Sequence, residues 1–254
     1  MRPRTHLVAF ALALLAALPM LAADLTVDEI LAKNAEAKGG LDKLKALQSI
    51  KFTGKMSLGG GMEAPISLTK KRPEMMRMDF TVQGLTGTQA YDGASGWMVM
   101  PFMGKKDPEP MSADAVKDVK DMADFDGPFI DYAKKGYKVE LLGKADVEGT
   151  PAYKVKVTRD GQESVVYIDA ENFLDIKSEA KRKVQGQEVE GETIYGNYQE
   201  FGGLLFPMSI EMKAKGMPAG QTITLEKVEI NPTVADDVFK MPAKKAEAAP
   251  AEKK

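Results

Sequence analysis

The chain has 254 residues, of which 44% are hydrophobic and 28% are charged, an ordinary balance for a globular protein. Its formal net charge of −2 gives no basic excess of the kind that nucleic-acid binding requires, so we expect no nucleic-acid partner. There is no Cys, and the only His is His6. The chain after that position therefore lacks Ser-His-Asp and Cys-His catalytic machinery and the usual zinc and copper ligands. No pair of carboxylates stands out either, and we expect no enzyme activity, no cofactor and no metal.

The first residues predict a secretory signal. Arg2 and Arg4 precede an apolar run from Leu7 to Leu21, and the small residues Ala22 and Ala23 follow it. The run is shorter than the roughly 20 residues that a membrane-spanning helix needs. We therefore predict a signal peptide over residues 1–23, cleaved near Ala23, and a periplasmic protein. An uncleaved membrane anchor is the alternative.

Two helical stretches follow, and a third comes later in the chain. Thr26–Glu29 has the spacing of a capping box, and the helix after it is predicted to end at Gly39-Gly40. Leu41–Leu47 is a second, shorter stretch. Ser112–Lys135 has helical spacing that Gly127-Pro128 interrupts, which predicts two helices or a helix and a loop.

Most of the chain between Ile50 and Ile230 alternates apolar and polar residues. This period of two is typical of half-buried antiparallel strands, and turn residues such as Asp160-Gly161 separate the segments. The sequence predicts about ten or eleven strands at the spacing of an all-β sheet or barrel. With the helical stretches, the fold class is α+β and mainly β.

The alternating positions give candidates for an apolar ligand-binding face. The candidates are Phe52, Met56, Leu58, Ile66, Leu68, Met76, Met78 and Phe80 in the first three strands, and Trp97 in a later strand. Fourteen of the sixteen Met follow the predicted leader, and the flexible thioether side chain adapts to irregular apolar ligands. Alternation does not decide which sheet face is covered, and an ordinary filled core is the alternative.

One stretch of the third helical region is acidic. Its carboxylates are Asp121, Asp124, Asp126 and Asp131. A calcium loop would need an oxygen ligand where Met122 stands and a Glu where Ala133 stands. The sequence therefore predicts a solvated loop here rather than a calcium site.

Three segments, in this order, resemble the periplasmic lipoprotein carrier LolA and its family. Lys71-Arg72-Pro73-Glu74-Met75-Met76-Arg77 resembles the Lys-Arg-Pro start of a strand, and Tyr91-Asp92-Gly93 with Trp97 resembles the hairpin that comes next. Asp237-Val238-Phe239-Lys240-Met241-Pro242 resembles the closing Phe-x-x-Pro segment. The chain departs from the classical carrier in being longer, richer in Met and extended by a Lys-rich tail.

The resemblance implies a single domain over residues 24–242. It implies a strongly curved, unclosed antiparallel β-barrel with a helical lid and a cavity for acyl chains. The implied function is a periplasmic carrier that shields the acyl chains of lipoproteins and delivers them towards the outer membrane. It would act as a monomer, with an inner-membrane release complex and an outer-membrane acceptor as partners. A binder or sensor of another lipid, phospholipid or glycolipid, on the same fold is the alternative.

The resemblance also implies a role for Arg72. In the family the matching Arg hydrogen-bonds backbone carbonyls of the lid, and it would act as a latch that favours the closed, empty state. A guanidinium suits this role because it carries five donors and stays charged. The alternative is a solvated surface Arg beside Lys70 and Lys71.

Residues 243–254 contain only Ala, Lys, Glu and Pro. Such a segment has nothing large and apolar to bury and is predicted to be disordered. We expect truncation after Pro242 to leave the melting temperature and lipid binding unchanged, as measured by thermal unfolding and ligand titration. A drop of several degrees in the melting temperature would contradict this prediction.

Overall fold

The structure, a computed structural model, describes residues 25–58, 61–184, 187–215, 217 and 220–243. The predicted signal peptide and residues 244–254 of the predicted tail lie outside the described residues. No helix in the described ranges is long and apolar enough to cross a membrane.

Three α-helices and thirteen strands form the described part of the chain. The helices are α1 (Val27–Ala37), α2 (Leu41–Ala46) and α3 (Ala113–Ala123). The strands before α3 are β1 (Ser49–Ser57), β2 (Glu63–Lys71), β3 (Met75–Val82), β4 (Leu85–Tyr91), β5 (Gly96–Met100) and β6 (Lys105–Pro110). Those after it are β7 (Lys138–Val147), β8 (Thr150–Arg159), β9 (Gln162–Asp169), β10 (Asp175–Val184), β11 (Gln187–Phe201), β12 (Leu204–Ala214) and β13 (Gln221–Ile230).

All thirteen strands belong to one antiparallel sheet in the order β6-β5-β4-β3-β2-β1-β13-β12-β11-β10-β9-β8-β7. The sheet is not closed, since β6 and β7 are its two edges. The mainly-β, unclosed fold class is confirmed, with more strands than the predicted ten or eleven. The sequence pattern missed β6 because its residues are Lys, Asp, Glu and Pro, without apolar alternation. Pro is tolerated there because an edge strand has a free side.

The predicted start and end of the first helix are confirmed. The Thr26 hydroxyl accepts the Glu29 N–H at 3.3 Å, and the Glu29 carboxylate accepts the Thr26 N–H at 2.8 Å. Gly39 has φ +113°, and a Cβ there would lie 2.2 Å from the carbonyl oxygen of Gly203. Only Gly fits this position, because any side chain would collide with the loop between β11 and β12.

The third helical stretch is one helix followed by a loop, the second of its two predicted forms. Ser112 caps α3 by accepting the Ala115 N–H at 3.3 Å. After α3 the chain runs through consecutive turns to Tyr137. We call residues 124–137 the cover loop.

The helices cover one face of the sheet, which we call the covered face. Ile30 and Leu31 of α1 pack on Val155 and Ile168 of β8 and β9. On the other half of the sheet, buried Val119 and Ala123 of α3 pack against β3 and β4. The apolar core of the domain therefore lies between one sheet face and its helices.

The chain's last described segment packs on the opposite face. Phe239 is fully buried, and its carbonyl accepts the indole N–H of Trp97 at 2.7 Å. Arg77 donates to the carbonyl of Val238 at 3.0 Å. The closing segment singled out in the sequence is thus bound to the outside of the sheet.

Candidate functional site

A cavity of about 630 Å³ lies between the covered face, α1, α2 and the cover loop. This volume is within the roughly 300–1,000 Å³ that is usual for small-molecule sites. The larger apolar side chains that line it include Leu31, Leu44, Leu47, Ile50, Phe52, Phe125, Phe129 and Phe206. The sheet supplies one wall, and the two helices and the cover loop supply the others, so the cavity is an apolar space under a lid.

The sheet wall of the cavity is aromatic. Phe52 of β1 and Phe206 of β12 meet edge to face, with ring centroids 5.6 Å apart. The same apolar cluster continues along the strands to Met56, Ile210 and Ile223, which are only partly buried. Apolar surface therefore extends beyond the cavity along the covered face.

The predicted ligand-binding residues divide between this cavity and the packed core. Phe52 lines the cavity. Met56, Ile66 and Phe80 belong to the same apolar cluster as Phe52. Met76 is fully buried in the cluster under α3, and Leu68 and Met78 pack against that cluster and are partly buried. Leu58 follows the end of β1 and is half-buried in the turn to β2.

Trp97 does not share their face. It pairs with Ala90 of β4, whereas its neighbour Met98 lies in the cluster under α3. Because side chains alternate between sheet faces, Trp97 points away from the cavity and packs against the closing segment. The prediction that Trp97 contributes to ligand binding is corrected: its contacts are structural. Alternation within β5 shows that Trp97 and Met98 lie on different faces, but it does not show which of these faces the helices cover.

Arg72, just after β2, makes polar contacts with two parts of the lid. Its Nε donates to the carbonyl of Leu47 at 2.6 Å, and one terminal nitrogen donates to the carbonyl of Leu44 at 3.3 Å. These two carbonyls belong to the last turn and the C-cap of α2, where partial negative charge accumulates. The structure thus contains the hydrogen bonds that the resemblance implied and excludes a freely solvated Arg72.

The same guanidinium forms a two-pronged ion pair with Asp126 of the cover loop. The two nitrogen–oxygen distances are 2.8 and 2.5 Å, and both side chains are about one-fifth exposed. The guanidinium also lies over the aromatic ring of Phe125, with its carbon 4.7 Å from the ring centroid. Hydrogen bonding from Arg72 lowers the pKa of Asp126. One side chain therefore joins β2, α2 and the cover loop.

Asp126 was missed as a partner because the acidic stretch was interpreted as a solvated loop, and that interpretation was wrong. Each of its four carboxylates is ion-paired. The pairs are Asp121–Arg159, Asp124–Lys135 at 2.8 Å, Asp126–Arg72 and Asp131–Lys45 at 2.6 Å. The basic partners are distant in sequence or unmarked by any motif, so only the fold reveals them. In the described residues no cluster of His, Cys, Asp or Glu is arranged to hold a metal ion.

The cover loop is also fixed to both lid helices. Asp131 pairs with Lys45 of α2, and the Tyr132 hydroxyl donates to Asp28 of α1 at 2.8 Å. These contacts are polar and partly exposed, unlike the apolar packing that holds the sheet together. Apolar contacts add to them, because Phe129 of the cover loop packs against the apolar cluster that joins α1 to the sheet.

Lys70 was not predicted as a site residue, although it lines the cavity. It lies on the covered face, paired in register with Ile50 of β1 and Met76 of β3. Its ammonium donates to the carbonyl of Asp124 at 2.8 Å and lies 5.6 Å from the Phe125 ring centroid. Burial lowers the pKa of Lys70 to about 8. The signal in the sequence was the break in alternation, since Lys follows Ile66 and Leu68 at the position where an apolar residue is expected.

Comparison with solved structures identifies the fold. A LolA superfamily protein from Nitrosomonas europaea aligns over 85% of this chain and 98% of its own, with a TM-score of 0.57 and 16% identity. A domain assigned as an outer membrane lipoprotein-sorting protein from Vibrio parahaemolyticus aligns over 83% and 94%, with a TM-score of 0.56 and 14% identity. This chain has the LolA-like fold. The resemblance drawn from the sequence is confirmed for the fold.

A third structure with this LolA-like fold is a DUF1329 family protein from Desulfovibrio piger. It aligns over 85% of this chain and 97% of its own, with a TM-score of 0.60 and 12% identity. No protein-family model and no curated protein matches the sequence. The similarity therefore lies in the three-dimensional arrangement, and the function has to be argued from the site.

Substituting Asp126→Asn tests the ion pair at the lid. We expect a loss of about 1–2 kcal/mol in the free energy of unfolding at pH 7, because a charged hydrogen-bond pair is replaced by a weaker one. Hydrogen exchange should become faster in α2 and the cover loop. Asp118→Asn, at an exposed position of α3, is the matched control and should change stability by less than about 0.5 kcal/mol.

The same pair predicts a pH dependence. Since the pKa of Asp126 is lowered in the folded state, its contribution is present above the ordinary Asp value of about 3.9 and is lost as pH falls through the lower, folded value. The wild-type advantage over Asp126→Asn, followed by urea unfolding, should therefore shrink on acidification. An advantage that is constant down to pH 2 would contradict the assignment.

Proposed function

We propose that this protein is a periplasmic carrier that shields acyl chains in the cavity under its lid. The observation that carries the proposal is an apolar cavity of about 630 Å³ closed by polar contacts centred on Arg72. Exposing acyl chains to water costs about 0.8 kcal/mol per CH₂ group. A soluble carrier needs an apolar space to offset that cost and a closure that can be reversed.

The contacts of Arg72 provide such a reversible closure. They exist only while α2 and the cover loop lie against β2, so they stabilise the closed state. Cargo that displaces the lid must break them, and its net affinity is reduced by their free energy. A carrier whose affinity is limited in this way can still release its cargo to an acceptor.

The first candidate cargo is a lipoprotein, because of the LolA-like fold. One solved structure with this fold is named for lipoprotein sorting at the outer membrane. In the full form of the proposal, a monomer accepts lipoproteins from an inner-membrane release complex and delivers them to an outer-membrane acceptor. The predicted signal peptide over residues 1–23 agrees with a periplasmic location.

A binder of another lipid, phospholipid or glycolipid, is the second candidate. Lys70 favours it, because an ammonium group within an apolar cavity is suited to an acidic head group. Both candidates use the same cavity and the same lid, and they differ in the chemistry of the cargo.

Mass spectrometry of lipids that copurify with the exported protein separates the candidates. Triacylated peptide supports the lipoprotein carrier, and free phospholipid or glycolipid supports the second candidate. Complete absence of acyl compounds, together with no uptake of added ones, would reject both.

The variant Arg72→Leu tests the closure. Each hydrogen bond to a charged group is worth about 1.5–3 kcal/mol, and 1.4 kcal/mol is a factor of ten in affinity. Removing these bonds should therefore slow the release of a fluorescent acyl ligand by about tenfold or more and impair its transfer to acceptor vesicles.

Arg77→Leu provides the control for this experiment. Arg77 is also ion-paired, to Asp79 at 2.9 Å, and also donates to a backbone carbonyl, but on the opposite face of the sheet. It should leave ligand release unchanged. Equal release from wild type and Arg72→Leu would show that Arg72 has only a structural role.

A further inference from the structure

We infer that the cavity selects amphiphiles with an acidic head group, a carboxylate or a phosphate, which pairs with Lys70 while the acyl chain lies along the aromatic wall. The inference rests on the proposed lipid-binding function and names the class of ligand.

Three cationic side chains line the cavity, and two of them are already neutralised. Lys38 pairs with Asp175 at 2.5 Å, and Lys134 pairs with Asp131 at 3.0 Å. In the described part of the chain, no carboxylate lies within ion-pairing distance of Lys70. Lys70 is therefore the cavity cation whose charge is left for a ligand.

The nearest carboxylates are held elsewhere. Asp124 accepts two hydrogen bonds from Lys135, at 2.8 and 2.9 Å, and Asp126 is occupied by Arg72. The hydrogen bond that Lys70 does make, to the carbonyl of Asp124, uses one of the three N–H donors of an ammonium group. Two donors remain to bind the oxygens of an anionic head group.

The surroundings of Lys70 place the head group next to the apolar space for the chain. Its register neighbours on the covered face are Ile50 and Met76. Ile50 also lines the cavity, beside Phe52 and Phe206. An acyl chain attached to a head group at Lys70 can thus lie on the aromatic wall.

An unpaired cation in an apolar wall is unfavourable for the empty protein. Burial disfavours the charged form of an amine, and this lowers the pKa of Lys70 to about 8. An ionised carboxylate or phosphate in the cavity would relieve that penalty, whereas a neutral alcohol or ester would not. The cavity therefore selects ligands by the charge of the head group as well as by the acyl chain.

The test compares ligands that share a chain and differ in charge. The delipidated exported protein is loaded with a fluorescent acyl probe at pH 7, and dodecanoic acid, dodecyl phosphate and dodecanol compete below their critical micelle concentrations. We expect the acid, the phosphate or both to displace the probe at a concentration at least about tenfold lower than dodecanol does. The better of the two acidic ligands distinguishes a free fatty acid from a phosphate-bearing lipid as the source.

Variants of Lys70 assign the preference to this side chain. Lys70→Met removes the ammonium group but keeps an unbranched side chain of similar length, and this variant should bind all three ligands alike. Lys70→Arg should restore the preference for an acidic head group. Lys71→Met is the matched control, because Lys71 is the next residue of β2, lies on the opposite face and is paired with Asp236 at 2.6 Å, and it should retain the preference.

The preference should also depend on pH. Lys70 is charged below about pH 8, so the advantage of the acid should decline as pH rises above that value. A bound anion will move the decline to higher pH. The charged groups that face Lys70 are Asp124, Asp126 and Lys135 of the cover loop and Arg72 after β2. Of these, Asp126 is already ionised because its pKa is lowered.

Two outcomes would overturn the inference, and they differ in what else they reject. Equal binding of dodecanoic acid, dodecyl phosphate and dodecanol by the wild type would reject the selection by Lys70 and leave the lipid-binding function intact. No displacement of the probe by any acyl compound, with no probe uptake, would reject the proposed function and the inference with it.

Discussion

The guanidinium of Arg72 is the contact on which the arrangement of the lid depends. It donates to two carbonyls of α2 and to both oxygens of Asp126 in the cover loop, while its own backbone position is fixed by the end of β2. A planar group with five donors can hold three chain segments at once, which an ammonium group could not do with the same geometry. The position of the cavity roof follows from these bonds.

The rest of the lid repeats this principle of polar attachment. The acidic residues of the cover loop each have a basic partner, and Tyr132 ties the loop to α1. The sheet, by contrast, is held by backbone ladders and by buried apolar clusters beneath α1 and α3. Breaking the ion pairs of the cover loop would exchange them for contacts with water at a modest cost, whereas separating α1 or α3 from the sheet would expose large apolar surfaces.

The two faces of the sheet have different tasks. The covered face bears the aromatic wall of the cavity and the methionine-rich cluster under α3. Part of the opposite face is covered by the last described segment of the chain, in which Phe239 is buried and its carbonyl accepts the indole N–H of Trp97. The cavity lies on the covered face, so that face carries the candidate site for an apolar ligand. The lone unpaired cation of the described cavity lining, Lys70, then becomes the group that distinguishes one ligand from another.

Most of the helices and strands, and the fold class, could be predicted from the sequence alone. The capping box before α1, the period of two from Ile50 onwards and the turn residues between strands are local patterns, and local backbone preferences are enough to produce them. The order of three motifs was sufficient to suggest the LolA-like fold and the role of Arg72 towards the lid carbonyls.

The tertiary structure was needed to show which residues form the site, because this depends on long-range packing. It placed Phe52 in the cavity and Trp97 on the opposite face of the sheet. Which face is covered depends on where the helices pack, and these pack on strands that are distant from them in sequence. It paired Arg72 with Asp126, which is 54 residues away. It also brought Lys70 into the apolar wall of the cavity, which the break in alternation at this position did not by itself predict. Alternation along a strand defines two faces, but only long-range packing determines which of them is removed from water.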